Sequence, residues 1–177
     1  MLIRNATSAD LSTIAMLVSE SNKDVAVMFG LNSENCPKHP SFCTENWIAA
    51  DLQRGEIYFI LEESSTPIAC VAYEAPNPGF AYLNRLSVLP PHRNRGIGAR
   101  LVKHIFEHAR SASVQTISIG VIGEHITLQN WYRKLGFKDG ETKRLPHLPF
   151  SVKYMAYRSF MGYPNDPPNN GQHPERA

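Results

Sequence analysis

The sequence predicts a single α+β domain in which a mixed, mostly antiparallel sheet is flanked by helices. Three β-rich runs, Glu56 to Glu62, Ile68 to Glu74 and Phe80 to Val88, are separated only by the turn-forming stretches Ser64-Ser65-Thr66-Pro67 and Ala75-Pro76-Asn77-Pro78-Gly79. Such short linkers imply an antiparallel meander. The third run leads into a helix and then a further strand, a crossover whose strands lie parallel. With 177 residues, 42% of them hydrophobic and 19% charged, the chain has the size and composition of one globular domain that buries its core without metals or disulfides.

Each element has a local signature. Leu2 and Ile3 open a short strand. Thr7 and Asp10 form a capping box for a helix carrying Leu11, Ile14, Leu17 and Val18 on one face. From Asn22 to Cys43 no clean period survives and Asn, Ser, Pro and Gly accumulate, so an irregular segment is expected. A second helix starts near Thr44, buries Trp47, Ile48 and Leu52, and stops at Gly55. After the meander, Leu89-Pro90-Pro91 ends the strand, and a helix from about Gly98 places Leu101, Val102, Ile105, Phe106 and Ala109 at helical spacing. Thr116 to Ile122 reads as a strand, His125 to Leu135 as a helix ended by Gly136, and Phe150 to Tyr157 as a last strand. The domain is therefore placed at residues 1–159. The remainder, 160–177, is poor in apolar residues and rich in Pro and Asn, which predicts a disordered tail.

Composition also excludes function classes. No apolar run is long enough to span a bilayer, and MLIRNATSAD lacks a signal-peptide core, so a cytoplasmic protein without membrane association is expected. A net charge of +2 is too small for bulk attraction to nucleic acid. Cys36, Cys43 and Cys70 are too few and too scattered for a disulfide framework. Cys36, His39 and Cys43 make a C-x2-H-x3-C pattern, three soft ligands where a structural zinc needs four. A substrate-side loop is expected there, and no metal.

The most informative stretch is YLNRLSVLPPHRNRGIGARLV, residues 82–102. An apolar strand delivers the chain to a turn, Gly96 and Gly98 let the backbone approach a ligand, and a helix starts with unpaired N–H groups facing the loop. Such a terminus attracts an anion, and Arg93, Arg95 and Arg100 add positive charge, so a pyrophosphate is the natural ligand. A P-loop requires Lys and then Ser or Thr after its second glycine, where this chain has Ala99-Arg100. A dinucleotide fingerprint requires glycine where Leu101 stands. An ordinary strand-to-helix connection with solvated arginines would share the local pattern.

Arg93-Asn94-Arg95-Gly96-Ile97-Gly98, preceded by Leu86-Ser87-Val88-Leu89-Pro90, resembles the R/Q-x-x-G-x-G/A signature of the GCN5-related N-acetyltransferase (GNAT) superfamily. Trp131-Tyr132-Arg133-Lys134-Leu135-Gly136-Phe137 is similar to that family's L-Y-x-K-x-G-F ending. The order of elements agrees over residues 2–158, and residues 80–137 carry the specific part. The resemblance implies a GNAT-like fold with acetyl-CoA as acyl donor, lying where the strand ending at Val88 splays from the strand ending near Ile122. It implies that backbone groups of Leu86, Ser87 and Val88 pair with the pantetheine arm, and that Arg93, Asn94, Arg95, Gly96, Ile97, Gly98 and Ala99 surround the pyrophosphate. It also implies that Tyr132 sits near the thioester sulfur.

The activity so implied is N-acetyl transfer to an amine, expected to be one on a small molecule, with a protein or peptide acceptor, or a sensor that binds acyl-CoA without turnover, as the other readings. An ammonium must lose a proton before it attacks. The Val88 N–H is the candidate oxyanion donor and Tyr132 the candidate acid for the leaving thiolate. Packing alone also explains an aromatic on such a helix. Many relatives carry a glutamate where this chain has Asn84, which cannot take a proton, so Glu74, Glu124 and His125 are the substitutes, with Glu124 and His125 preferred. His125 stands where the family often has asparagine. Acceptor identity is expected in the 22–43 and 139–150 segments, the latter including the stiff Pro146-His147-Leu148-Pro149-Phe150. The resemblance is compatible with a homodimer and specifies no interface.

Overall fold

The computed structural model describes residues 1–159; the tail expected at 160–177 lies outside the described residues. Strand β1 (Leu2–Asn5) is followed by a short 3-10 turn closed by the Thr7–Asp10 capping box, which feeds helix α1 (Leu11–Met28). The helix runs well past Asn22, correcting the expectation of an irregular segment there. Its buried stripe continues through Ser21 and Ala26, and the Asn22 amide donates back to the Val18 carbonyl at 2.8 Å. Polar residues at inward positions hid the period. The first residue beyond the helix that adopts a left-handed backbone is Gly30, at φ +62°.

Helix α2 (Glu45–Gln53) starts after Thr44 as expected. Strands β2 (Ile57–Glu63), β3 (Thr66–Asn77) and β4 (Phe80–Val88) form the meander, with β3 longer than its sequence suggested. Ser64 and Ser65, both at positive φ, make the first turn in two residues. Helix α3 (Ile97–Ser111), strand β5 (Thr116–Ile122), helix α4 (Ile126–Lys134), strand β6 (Lys138–Arg144) and strand β7 (Ser151–Arg158) complete the described chain. Strand β6 was not expected. Its sequence, KDGETKR, has no apolar residue to alternate, because it is a solvent-facing edge strand held by its ladder to β7.

The seven strands lie in the order β1-β2-β3-β4-β5-β7-β6, and every pairing except β4 with β5 is antiparallel. This is the mixed, mostly antiparallel sheet expected of the α+β class. Alternation along the strands divides the core. Phe59, Leu61, Val71 and Tyr73 face α3, whose Leu101, Val102 and Ile105 are buried on them. Tyr58, Ile60, Cys70 and Ala72 face α1 and α2 through Ile14, Leu17, Val18 and Ile48. Each such aliphatic side chain contributes about 1.5–3 kcal/mol when buried. Among the described residues no helix is long and apolar enough to cross a membrane.

Candidate functional site

Strands β4 and β5 pair over only three residues, Phe80, Ala81 and Tyr82 with Thr116, Ile117 and Ser118. Beyond them β5 stays aligned with β7 as far as Ile122, whereas β4 is bent away by a bulge. The bulge centres on Arg85, at φ 53°, where the register with β3 slips between Cys70 and Ala72. A left-handed conformation on a non-glycine residue is costly, and here it is held by the side chain. The guanidinium bonds the buried Asp51 carboxylate at 3.2–3.3 Å and lies 5.8 Å from the Trp47 ring. Asp51 in turn accepts the Tyr58 hydroxyl at 2.7 Å, and burial pushes the Tyr58 phenol well above its ordinary pKa. Sequence reasoning missed this cluster, since nothing local links residues 51, 58 and 85.

The divergence leaves a cleft of about 440 Å³. Leu83, Asn84 and Leu86 line one wall, Ile119 to Ile122 the other, and His125, Leu128 and Tyr132 reach it from α4. Of the predicted backbone group, Leu86 therefore faces the cleft. Ser87 is buried against β3 opposite Cys70, and the Val88 carbonyl accepts the Arg93 Nε–H at 3.1 Å.

The loop after β4 reaches α3 through Asn94 at φ 59° and Gly96 at φ 75°. Gly96 is the residue before the helix, and a Cβ there would meet nothing within 4 Å, so the loop is open on that side. The N–H groups of Ile97, Gly98 and Ala99 precede the first intrahelical bond, Arg100 N–H to the Gly96 carbonyl at 3.0 Å, and are available to an anion. Gly98 serves packing as well: its Cβ would stand 3.3 Å from the Trp131 ring. The three arginines expected to add positive charge each have a partner within the protein. Arg93 pairs with Asp24 on α1, Arg95 with Glu63 at 2.7 Å, and Arg100 donates to the Met1 carbonyl at 3.0 Å. The site's positive potential thus comes mainly from the helix terminus.

Tyr132 is 5% exposed, between the Trp131 and Phe137 rings at 4.9 and 5.2 Å, and it also lines the cleft. Burial raises its pKa, so the phenol stays protonated at neutral pH and serves as a donor. His125 lies in the cleft wall as the N-cap of α4. Its Nδ1 accepts the Leu128 N–H at 3.4 Å, its ring packs on Phe29 at 5.4 Å, and burial lowers its pKa. Glu124 is not in the lining: its carboxylate accepts the Ser151 N–H at 3.2 Å and the Ser151 hydroxyl at 3.0 Å. Glu74, buried on β3, does line the cleft, as does Asn84.

The far end of the cleft joins the two segments expected to determine the acceptor. Leu148 and Phe150, before β7, pack with Ile122 against Ala26, Leu31 and Cys36 from the end of α1 and the connection after it. His39 and Pro40 reach the lining, and His39 Nδ1 lies 2.9 Å from the Ser41 hydroxyl. Cys36, Cys43 and Cys70 are buried free thiols, with burial pushing Cys43 to about 11 and Cys70 to about 12. Among the described residues no group of three His, Cys, Asp or Glu side chains is placed to hold a metal ion.

A sequence profile described as the acetyltransferase (GNAT) family matches residues 25–137. No curated protein matches the sequence. Among solved structures, the chain resembles the ribosomal-protein-S18-alanine N-acetyltransferase of Escherichia coli with a TM-score of 0.74 and 17% identity, over 93% of this chain and 97% of that one. It also resembles a PaiA N-acetyltransferase of Thermoplasma acidophilum in complex with coenzyme A, with a TM-score of 0.69 and 20% identity, over 89% and 98%. A Salmonella typhimurium protein solved with its cofactor acetyl-CoA gives a TM-score of 0.67 and 15% identity, over 93% and 97%.

Proposed function

The chain belongs to the acetyltransferase (GNAT) family, and on that premise we propose that it moves an acetyl group from acetyl-CoA to the amine of a small molecule by direct attack on the thioester. The observation that carries this reading is the three-residue limit of the β4–β5 ladder, which opens a cleft lined by Leu86 at the end of β4 and by Tyr132 of α4. Acetyl-CoA supplies a thioester whose acyl carbon accepts the amine nitrogen and whose thiol departs. The residues present fit it. Unpaired N–H groups of Ile97 to Ala99 would hold the diphosphate, with Arg93, Asn94, Arg95 and Gly96 shaping the loop, and Leu86, Ser87 and Val88 offer backbone along the splayed strand.

The Val88 N–H is assigned to donate to the acyl oxygen, where fixed dipoles act without reorganising. Tyr132 is assigned to donate to the departing sulfur. Because burial makes its phenol a weaker acid, its service is a standing hydrogen bond that becomes a proton transfer only as negative charge builds on sulfur. The proton leaving the ammonium is assigned to Glu74 or His125. His125 must give up its cap on Leu128 to accept one, since a neutral ring whose Nδ1 accepts carries its own proton on Nε2. Glu124 serves only through water, since Ser151 holds its carboxylate.

Two other readings have support. Asn84 in the cleft, where a carboxylate would take a proton, favours an acyl-CoA sensor without turnover. The likeness to an E. coli ribosomal-protein-S18-alanine N-acetyltransferase favours a protein acceptor. Incubating the protein with acetyl-CoA and a panel of small amines and peptides, followed by thiol release, separates all three. Release with small amines supports the proposal, release only with peptides the second acceptor class, and coenzyme binding without release the sensor.

A further inference from the structure

The Cys36, His39 and Cys43 pattern is divided by folding. Cys36 packs with Ala26 and Leu31 at the end of α1, Cys43 joins Ile14, Ile48 and Cys70 in the core beneath α1 and α2, and of the three only His39 lines the cleft. Its position is fixed by the main chain. The His39 N–H donates to the Cys36 carbonyl at 3.0 Å, its own carbonyl accepts the Phe42 N–H at 2.9 Å, and Pro40 starts the short 3-10 turn that follows. The residue is 5% exposed, so the imidazole sits within the wall of the cleft rather than on the outer surface.

The tautomer follows from the bonds. Nδ1 accepts the Ser41 N–H at 3.3 Å and lies 2.9 Å from the Ser41 hydroxyl, and because a main-chain N–H can only donate, the neutral ring carries its proton on Nε2. Burial lowers the His39 pKa, which keeps the ring neutral at pH 7. Among the described residues no group bonds His39 Nε2, and unlike His104 Nε2 it is not a sealed, unpartnered atom. His39 therefore offers the cleft one N–H and no charge. The surroundings decide what that N–H can bind. Val25, Pro40, Leu148 and Phe150 make this end of the cleft apolar, and the guanidinium that lines the cleft, Arg85, is bonded to Asp51 at 3.2 Å. A carboxylate brought here would exchange its water for a single neutral donor, at a net cost. An uncharged oxygen gives up far less and gains the same bond.

We propose that the His39 Nε2–H binds an uncharged oxygen, a hydroxyl or an amide carbonyl, on the apolar body of the acceptor, and so selects small oxygen-bearing amines over plain alkylamines and amino acids. The inference deepens the acetyltransferase reading above and rests on it. His39 takes no part in the proton transfers; it sets specificity for the acceptor. Ser41 aims it, through the two groups that hold Nδ1. A site built around a hydrogen bond rejects the analogue that lacks the partner atom, because the N–H is then left dry and unpaired.

The test follows thiol release from acetyl-CoA with three matched series of primary amines of increasing chain length: ω-amino alcohols, the alkylamines in which a methyl replaces the hydroxyl, and the ω-amino acids. At the chain length that reaches Nε2, the expected kcat/KM of the alcohol is about tenfold above that of the alkylamine and of the amino acid. His39→Leu should erase that advantage through KM, with the coenzyme Kd, measured by calorimetry, held within about twofold. His39→Gln, which keeps an N–H donor, should recover part of it, and Ser41→Ala should raise the KM of the alcohol about threefold. An alcohol with no advantage at any length, amino acids used as well as alcohols, or an advantage that survives His39→Leu overturns the subsite while the acetyltransferase reading stands. Failure of every amine in the three series to release thiol from bound acetyl-CoA overturns the small-amine reading and the subsite together. If His39→Leu does not fold, the Gln variant, Ser41→Ala and the comparison of the series still decide.

Discussion

Arg93 donates its Nε–H to the carbonyl of Val88 at 3.1 Å, and the same guanidinium bonds the Ser21 carbonyl at 2.6 Å and the Asp24 carboxylate. One side chain thus fastens the end of β4 and the start of the anion-binding loop to α1. Its charge is spent on that joint. Replacing it should loosen the loop without removing any N–H group the anion uses. Arg93→Ala is expected to weaken acetyl-CoA binding about tenfold and to cost about 1–3 kcal/mol of stability, with Arg93→Lys recovering only part, because lysine lacks the planar fork. Calorimetry and thermal melts check both numbers.

Gly96 and Gly98 should fail for different reasons. Gly96→Ala places a Cβ in open space but on a left-handed backbone, so about 1 kcal/mol of strain falls on the loop and coenzyme affinity drops. Gly98→Ala instead presses on the Trp131 ring at 3.3 Å and should displace α4, lowering turnover through the neighbouring Tyr132 as well as stability. Comparing Kd with kcat in the two variants separates loop from helix.

Tyr132→Phe keeps the packing against Trp131 and Phe137 and removes only the hydroxyl. Turnover should fall by about 10²–10⁴ while the coenzyme Kd stays nearly unchanged. Unaltered turnover in a stopped-flow or thiol-release assay removes the phenol from the chemistry.

The loop, the two motifs and most elements were legible because their signals are local: paired glycines at the head of an amphipathic helix, alternation in β2 to β4, caps at Thr7 and Thr44. What was not legible is polar or non-local. Strand β6 has no apolar residue, so only its ladder to β7 reveals it. The second half of α1 presents Ser21, Asn22 and Asp24 where a periodic reading wants apolar side chains: the Asn22 amide bonds the Val18 carbonyl and the Asp24 carboxylate bonds Arg93, whereas Ser21 meets Arg93 only through its main-chain carbonyl. The Asp51–Arg85–Tyr58 cluster depends on register, which a linear pattern does not encode.

Half-buried histidines on α3 set an acid limit to stability. His104 packs edge-on to Phe59 at 4.5 Å with its Nε2 buried and unpartnered, and His108 lies 4.8 Å from the Tyr73 ring. Burial lowers both pKa values, and for His104 the charge of His108 adds to it. The unfolded chain therefore takes up protons first, near pH 6.5, so this stability is full above that pH and is lost as pH falls toward the lower folded values. Melting temperature should drop as the pH falls below about 6.5, and His108→Gln should flatten that drop. An equally steep profile in the variant assigns the acid loss elsewhere.

The central claim is that main-chain N–H groups at the head of α3 hold the coenzyme diphosphate and thereby direct the thioester into the splay toward Tyr132. The most direct measurement is a crystal structure of the protein with acetyl-CoA. The account predicts diphosphate oxygens within hydrogen-bond distance of the N–H groups between Arg95 and Ala99, and the thioester between Val88 and Tyr132. A coenzyme seated in any other groove, or a diphosphate held by side chains alone, contradicts it.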